Sequence, residues 1–548
     1  METKWIFPDN DPIQCYLERH NLPTKEEQDR FLNFNESQLR TKYKDLNKVV
    51  LALKRAIKNQ KNIVVYGDYD CDGITATSII ILALRNIDVE VKYFINDRFK
   101  EGYGMNVKGV KRLLELHPDT DFIITCDNGI AAKEGIEYAL SKGIEVVCTD
   151  HHLQKDELIV PTVDEWRNDE YEELREQSCG AEIARRVMLA LYKGLKKDTD
   201  YIHELIALSG IATVCDVVKF TAANHYIVKE CLNLLNKDKQ TIKVLSLIKD
   251  LMKLEEIDED TLGYKIGPMM NAMSRVNGSP NEMVEILTTK TNSLEAYTMI
   301  KEAIAINEER KELSDEDYEK AKAEINEKDA CIILAGNYHP GIAGLVCSSV
   351  VEDYFKPCIC LCESGDMLKG SARSYMTFHL KNALDKCADL LETYGGHAGA
   401  AGITLKKENL KAFKERMNSL VEESGVLDKI PEIKIDYVCS VNNLFDSTVQ
   451  EFMQLAPFGE GFERPKIVYA GELNQVRFIP AGESPKHVSF DLKKDGSGVK
   501  AVWWNAVDRW DDYGFNNKDS VQVLGYPHIS CYNNTYYRKL YVNDIKRG

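Results

Sequence analysis

What the sequence lacks narrows its class. No stretch of its 548 residues is apolar for long enough to cross a membrane, and the opening METKWIFPDNDPIQ has neither a basic leader nor an apolar core. The expected setting is the cytoplasm, without membrane association. There is no excess of positive charge: 70 Lys and Arg face 87 Asp and Glu, a net −17. That excludes a surface coated in basic residues for wrapping duplex DNA and leaves narrow, channel-like contact with a nucleic acid. The 15 cysteines show no paired framework and lie largely in apolar runs, as Cys148 and Cys215 do, which fits reduced, buried thiols. No second ligand pair of finger-like spacing accompanies Cys358, Cys360 and Cys362, so PCICLC reads as one face of a core strand rather than a zinc site. The remaining composition, 44% hydrophobic and 29% charged, is that of a globular chain long enough for three or four domains.

One stretch organises the chain. KNIVVYGDYDCDGITATSIIILAL, residues 61–84, begins as a buried strand and ends as a helix. The turn between them carries Asp68, Asp70 and Asp72 and closes at Gly73. Carboxylates at every second position repel, and a cation among them relieves the repulsion. The bland alternative is a solvated acidic turn.

Strand candidates at 89–95, 121–129 and 144–152, with a further apolar run near 207–218, alternate with amphipathic helices. This is the pattern of an α/β, doubly wound parallel sheet. Acidic residues recur where these runs end: Asp127, then Asp150-His151-His152, then Asp216 after IATV. Strand ends on one edge converge, so Asp70, Asp72, Asp127, His151, His152 and Asp216 can meet in space. Hard oxygen donors mixed with imidazole suit Mn²⁺ or Mg²⁺, and a shared aspartate gives a two-ion centre for phosphoryl displacement. The competing reading makes one or two of the aspartates helix caps and the histidines a surface pair.

The expected divisions are an N-terminal extension (1–48) packed on a first α/β domain (49–280), a long helical connector (281–327), a second α/β domain (328–428) and a small C-terminal β-barrel of OB type (429–548). In the second domain MLKGSARS and YGGHAGAAG read as glycine-rich turns. Ser371, Arg373 and His397 there, with Arg98 before EGYG and Arg275 in GPMMNAMSRV, are candidate phosphate contacts, or else tight turns and structural ion pairs. Trp503, Trp504, Tyr532, Tyr536 and Tyr537 in the barrel either stack bases or fill its core, and alternation sends about half inward.

Taken together, GDYDCDG, ITCDNG, TDHH and TVCDVV resemble the four motifs of the DHH phosphoesterase superfamily. NYHPGIAG, KGSARS and GGHAGAAG resemble its DHHA1 domain, and LAPFGEGFERP with the β region after it resembles the OB part of the bacterial RecJ exonuclease family. The resemblance implies a 5′→3′ exonuclease on single-stranded DNA that uses two Mn²⁺ or Mg²⁺ ions and releases 5′-mononucleotides in repair or recombination. Single-strand-binding protein or a helicase would be its partners. It also implies metal ligands at Asp70, Asp72, Asp127, His151 and Asp216, supported by Asp68, and His152 at the scissile phosphate. Arg98, Arg275, Ser371, Arg373 and His397 would hold the nucleic acid, some of them at its 5′ phosphate. The chain departs from the family pattern at Tyr66, where many relatives carry a histidine ligand, at Ser274 in place of a glycine, and over VPTVDEWRNDEYEEL. Two other readings remain: a DHH phosphodiesterase on short oligoribonucleotides or cyclic dinucleotides, and a non-catalytic single-strand scaffold.

Overall fold

The computed structural model describes residues 3–8, 11–154, 157–167, 176–237, 242–289, 294–481, 484–532 and 535–548. The later part of VPTVDEWRNDEYEEL lies outside them. Strands Lys92–Ile95, Ile63–Gly67, Phe122–Cys126, Glu145–Thr149 and Thr162–Val163 form, in that spatial order, an all-parallel sheet. Runs such as IVVYG and FIITC are buried at every position, as strands covered on both faces must be. The chain leaves Ile63–Gly67 toward one edge and returns to place Phe122–Cys126 on its other side. Between the ends of these two strands lies the topological switch point, where open α/β sheets bind ligands.

The helix Cys71–Asn86 is apolar all round and buried along nearly its whole length. It packs under the sheet against Gly180–Leu195, Ile206–Cys215 and Asn281–Thr288. The run near 207–218, expected as a strand, is the helix Ile206–Cys215. Periodicity cannot separate a short buried strand from a buried helix when every position is apolar. Here the small residues decide: a Cβ on Gly210 would lie 2.1 Å from Cys231 Cβ, so Gly210 lets this helix press onto Ala222–Leu235. Asp216 therefore arrives from a helix C-terminus and not from a strand tip.

Among the described residues the connector contains two helices, Asn281–Thr288, which packs on the first α/β unit, and Leu294–Glu324, about 46 Å long at 1.5 Å per residue. Beyond it, strands Thr393–Gly396, Ala400–Lys406, Met367–Arg373, Cys358–Ser364 and Ile332–Gly336 make a mixed sheet. MLKGSARS and GGHAGAAG were expected as turns. The first is a strand, and the second forms the end of one strand, a tight hairpin turn and the start of the next. Their glycines admit neighbouring backbone: a Cβ on Gly370 would sit 1.8 Å from the Cys360 carbonyl oxygen. Cys358, Cys360 and Cys362 share one buried face with Val346 and Val350, while Ile359 and Leu361 fill the other. The 14 described cysteines are all free thiols.

Strands Ile467–Ala481, Ser484–Lys494, Ser497–Trp503, Thr535–Arg547 and Ser520–Tyr532 form a barrel, closed by pairing of the first with the last. Trp503 points into its core at 3% exposure and Trp504 points out at 52%, as alternation requires. Tyr537 is exposed. The side chains of Tyr532 and Tyr536 lie outside the described residues. The N-terminal segment meets the first α/β unit through Tyr43 and Arg40, as expected, but it also reaches the barrel side. Tyr16 and Phe31 pack on Phe462, and Lys4–Ile6 pairs with Glu432–Lys434. Among the described residues no helix is long and apolar enough to cross a membrane.

Candidate metal centre and phosphate site

The turn after Ile63–Gly67 places its acids by local rules. Asp70 caps the helix Cys71–Asn86, accepting from Gly73 N at 3.1 Å. Gly73 is required because a Cβ there would lie 2.5 Å from the Asp68 carbonyl oxygen. Asn271 Oδ1 accepts from Cys71 N at 2.8 Å and holds the turn from the far side. Asp72 is buried and takes the first two amides of Gly180–Leu195, Gly180 N at 2.6 Å and Ala181 N at 2.7 Å. The positive end of that helix thus faces a carboxylate. Asp127 stands in the left-handed region at φ 59°, turning its carboxylate back over the sheet edge.

These side chains converge. His151 Nε2 lies 3.1 Å from Asp127 Oδ1, 3.5 Å from Asp72 Oδ2 and 3.6 Å from Asp216 Oδ2. Three overlapping sets each bring their ligand atoms within 4.8 Å of one another: Asp68, Asp70 and Asp127; Asp72, His151 and Asp216; and Asp127, His151 and His152. Asp68 Oδ1 and Asp127 Oδ1 are buried without a hydrogen bond. Burial, then repulsion from neighbouring carboxylates, raises Asp68, Asp127 and Asp216 well above the usual range and Asp72 to about 7. Burial and the adjacent His152 push His151 down to about 4, so its imidazole is neutral and presents a lone pair. Unpaired buried oxygens around a neutral imidazole fit a divalent cation.

His152 is held differently. Asp150 Oδ1 accepts from His151 N at 2.8 Å and from His152 N at 3.2 Å and lies 2.8 Å from His152 Nδ1, while Asp150 Oδ2 accepts from Ile130 N at 2.9 Å. Burial opposes charging of His152, but Asp150 outweighs it and lifts the imidazole to about 9. The Tyr103 hydroxyl lies 3.2 Å from its Nε2. Tyr66 contributes no ligand: its phenol donates to Asn96 Oδ1 at 2.6 Å within the core on the other side of the strand. Ser274 is buried inside its helix, bonded to the Asn271 carbonyl at 3.1 Å.

Facing the acids is a group of arginines. Arg275 is partly buried, and its pKa is lowered to about 10 by desolvation and then by Arg98, Arg310 and Arg373, with Asp70 opposing. One of its ω nitrogens donates to the Gly341 carbonyl at 3.2 Å. A Cβ on Gly341 would lie 1.9 Å from the Arg275 carbonyl oxygen, so that glycine lets the second α/β unit touch the first. Arg98 rests over the Tyr69 ring at 5.0 Å. Gly344, near the start of the helix Ala343–Tyr354, sits where a Cβ would be 3.2 Å from Arg373 and 3.5 Å from Ser371 Oγ. His397 occupies the exposed hairpin tip, and among the described residues no hydrogen bond joins its ring to the arginines.

Sequence reading passed over Tyr103 and Asn271 and assigned Asp150 no role. Only Asp150 carried a signal, its place within TDHH.

Comparison with known proteins agrees with this architecture. The chain matches the DHH family N-terminal domain over residues 62–212, the DHHA1 domain over 328–423 and the RecJ OB domain over 435–544. It is 31% identical over 510 residues to the single-stranded-DNA-specific exonuclease RecJ of Bacillus subtilis, covering 90% of this chain and 62% of that protein. The Escherichia coli protein of the same name is 29% identical over 509 residues, covering 86% of this chain and 85% of that one. Among solved structures, exonuclease RecJ bound to manganese superposes with TM-score 0.61 at 28% identity, covering 71% of this chain and all of that one. RecJ from Thermus thermophilus in complex with Mn²⁺ shares the fold at TM-score 0.82 and 24% identity, covering 100% of this chain and 80% of that one. A parallel sheet with carboxylates at its switch point, joined to a DHHA1 unit, defines a phosphoesterase of the DHH class. Within that class, the chain belongs to the RecJ family.

Proposed function

We propose that this protein is a metal-dependent 5′→3′ exonuclease that hydrolyses single-stranded DNA to 5′-mononucleotides, in DNA repair or recombination. The observation that carries this reading is the set of three ligand groups, each within 4.8 Å, at the sheet switch point and opposite the arginines. The relatives named above are described as single-stranded-DNA-specific exonucleases, and one solved relative is bound to manganese. Asp68, Asp70 and Asp127 would hold one Mn²⁺ or Mg²⁺, and Asp72, His151 and Asp216 the other. Bound there, the ions supply Lewis acidity and lower the pKa of water.

The chain's own groups do the rest. Gly180 N and Ala181 N keep the Asp72 carboxylate in one orientation. Asp150 fixes the His152 ring, so its Nε2–H faces the site and can donate to a phosphoryl oxygen as charge develops there. Arg98, Arg275, Ser371 and Arg373 grip the 5′-terminal phosphate, which sets polarity, and His397 closes over it from the hairpin. Trp504 and Tyr537 stack bases of the strand behind. The divisions 49–280, 281–327, 328–428 and 429–548 assign metal centre, spacer, phosphate grip and strand guide in that order, with 1–48 as a brace. The setting is cytoplasmic, and single-strand-binding protein or a helicase would present the strand.

The test is digestion of single-stranded and duplex DNA with free or blocked 5′ ends, with and without Mn²⁺. Loss of single strands from free 5′ ends, only with metal, supports the reading. Cleavage of dinucleotides alone favours the oligonucleotide phosphodiesterase. Strand binding without cleavage favours the scaffold.

A further inference from the structure

We propose that Cys71, Cys215 and Met270 form a second kind of cation site behind the carboxylate cluster, one for a thiophilic divalent ion such as Zn²⁺ or Cd²⁺, and that an ion there inhibits the enzyme. The residues are interleaved with the cluster. Cys71 lies between Asp70 and Asp72, and Cys215 directly precedes Asp216.

The three sulfurs gather on one helix face. Gly267–Val276 packs against both Cys71–Asn86 and Ile206–Cys215. Cys71 Sγ lies 3.5 Å from Met270 Sδ. Cys215 Sγ fills the space that a side chain on Gly267 would need, 2.3 Å from the place of its Cβ, and donates to the Leu262 carbonyl at 3.7 Å. Residues three apart on a helix are surface neighbours, with Cβ positions about 5–6 Å apart, so Gly267 and Met270 set the two thiols side by side. The Cys215 thiol is accordingly a hydrogen-bonding neighbour of Cys71.

Spacing and chemistry suit a soft ion. With metal–sulfur bonds of about 2.3 Å, a tetrahedral ion holds two sulfurs about 3.8 Å apart. The Cys71–Met270 pair is already near that separation, and the unbranched methionine side chain adapts readily. Cys71 and Met270 are buried, while Cys215 is half-buried and gives the ion a way in. Thiolate and thioether donors take soft cations, whereas the carboxylates next to them take hard ones, so the two sites sort ions by type.

The charge count selects the valence. Two thiolates and a divalent ion sum to zero, whereas a monovalent ion leaves a net negative charge beside Asp70, Asp72 and Asp216. Binding breaks two S–H bonds and forms two metal–thiolate bonds and one metal–thioether bond. Both protons pass to the buffer and no electron moves. Drawing the two thiols onto one ion shifts Asp70, Asp72 and Asp216 with them. The inhibitory effect rests on the exonuclease reading, and the binding does not.

The experiment titrates Cd²⁺ anaerobically into the Mn²⁺-loaded full chain and follows the ultraviolet charge-transfer absorption of thiolate-bound Cd²⁺, which carboxylates do not produce. C71A and C215S should each lose one equivalent of thiolate-bound Cd²⁺ relative to wild type. M270L, a swap that keeps volume, should hold that equivalent about tenfold more weakly. An equal count in C215S, or an equal affinity in M270L, overturns the proposal. In cleavage of single strands with excess Mn²⁺, Cd²⁺ should inhibit wild type at a concentration about tenfold lower than C215S, and equal inhibition overturns the inhibitory role. Should wild type cleave nothing, the exonuclease reading fails, and the Cd²⁺ count still decides the site.

Discussion

Two groups of buried charge sit on the same helix, Gly180–Leu195, and they are built in opposite ways. One turn in, Glu182 accepts from Arg185 Nε at 2.7 Å and Arg186 Nε at 2.7 Å, and Arg186 also meets Glu176 and the Tyr43 hydroxyl. Every charge there has its opposite. At the helix start, Gly180 and Ala181 hold Asp72 in a cluster of four further aspartates, Asp68, Asp70, Asp127 and Asp216, joined by the neutral His151 and by a single cationic side chain at the edge, His152, which Asp150 already engages. The first arrangement is complete within the chain. The second is complete only with cations, and the arginines beyond it only with an anion. Paired burial holds the fold, and unpaired burial of one sign marks where ligands go.

The sharpest way to break this contrast is to neutralise one member of each group. D127N should lower metal-dependent cleavage by roughly 10³-fold or more, since an ion loses a ligand shared by two of the sets. The same variant should unfold later than wild type in chelator, because it relieves repulsion. Cleavage assays and thermal unfolding in chelator check both. E182Q should do the reverse. It takes from two buried guanidiniums the carboxylate they share, leaving Arg185 with Glu36 and Arg186 with Glu176, and costs about 3–5 kcal/mol by urea unfolding, while the folded fraction keeps its cleavage rate.

Acid sharpens the comparison further. Burial acts to raise Glu182, but Arg185 and Arg186 overcome it and hold the carboxyl at about 2, below its ordinary 4.5. A depressed folded pKa means the stabilisation is fully present above about 4.5 and is lost as pH falls toward 2. At 1.36 kcal/mol per pKa unit this amounts to roughly 3 kcal/mol. Urea midpoints of wild type should fall through that window, and those of E182Q should fall less.

R275A should reduce kcat/KM on 5′-phosphorylated single strands by about 10²-fold, with little loss of stability in urea, because it removes a partly buried charge held by one carbonyl and no carboxylate. The smallest effect is expected in the barrel. W504A should raise KM on long single strands about fivefold, the worth of one stacked base near 1 kcal/mol, without changing the unfolding midpoint.

Legibility in the sequence followed how local each cause was. Asp68, Asp70, Asp72, Asp127 and His151 were readable because a buried strand followed by an acidic turn puts them at a sheet edge. Asp216 was readable as an acid but not as the end of a helix, since IALSGIATV is apolar at nearly every position and has no period. Ser371 and Arg373 were found as residues but placed in a turn, because glycine marks both turns and close strand contacts. Tyr103 and Asn271 were invisible. Asn271 acts on Cys71 from 200 residues away, and Tyr103 on His152 from 49. Motif spacing carries nothing about such contacts.

Titration calorimetry of Mn²⁺ into chelator-stripped wild type and D127N tests the origin of the one-signed cluster most directly. The account predicts two bound ions in wild type and loss of at least one in D127N. Wild-type protein that takes up no Mn²⁺, or a variant that binds both ions as wild type does, would contradict it.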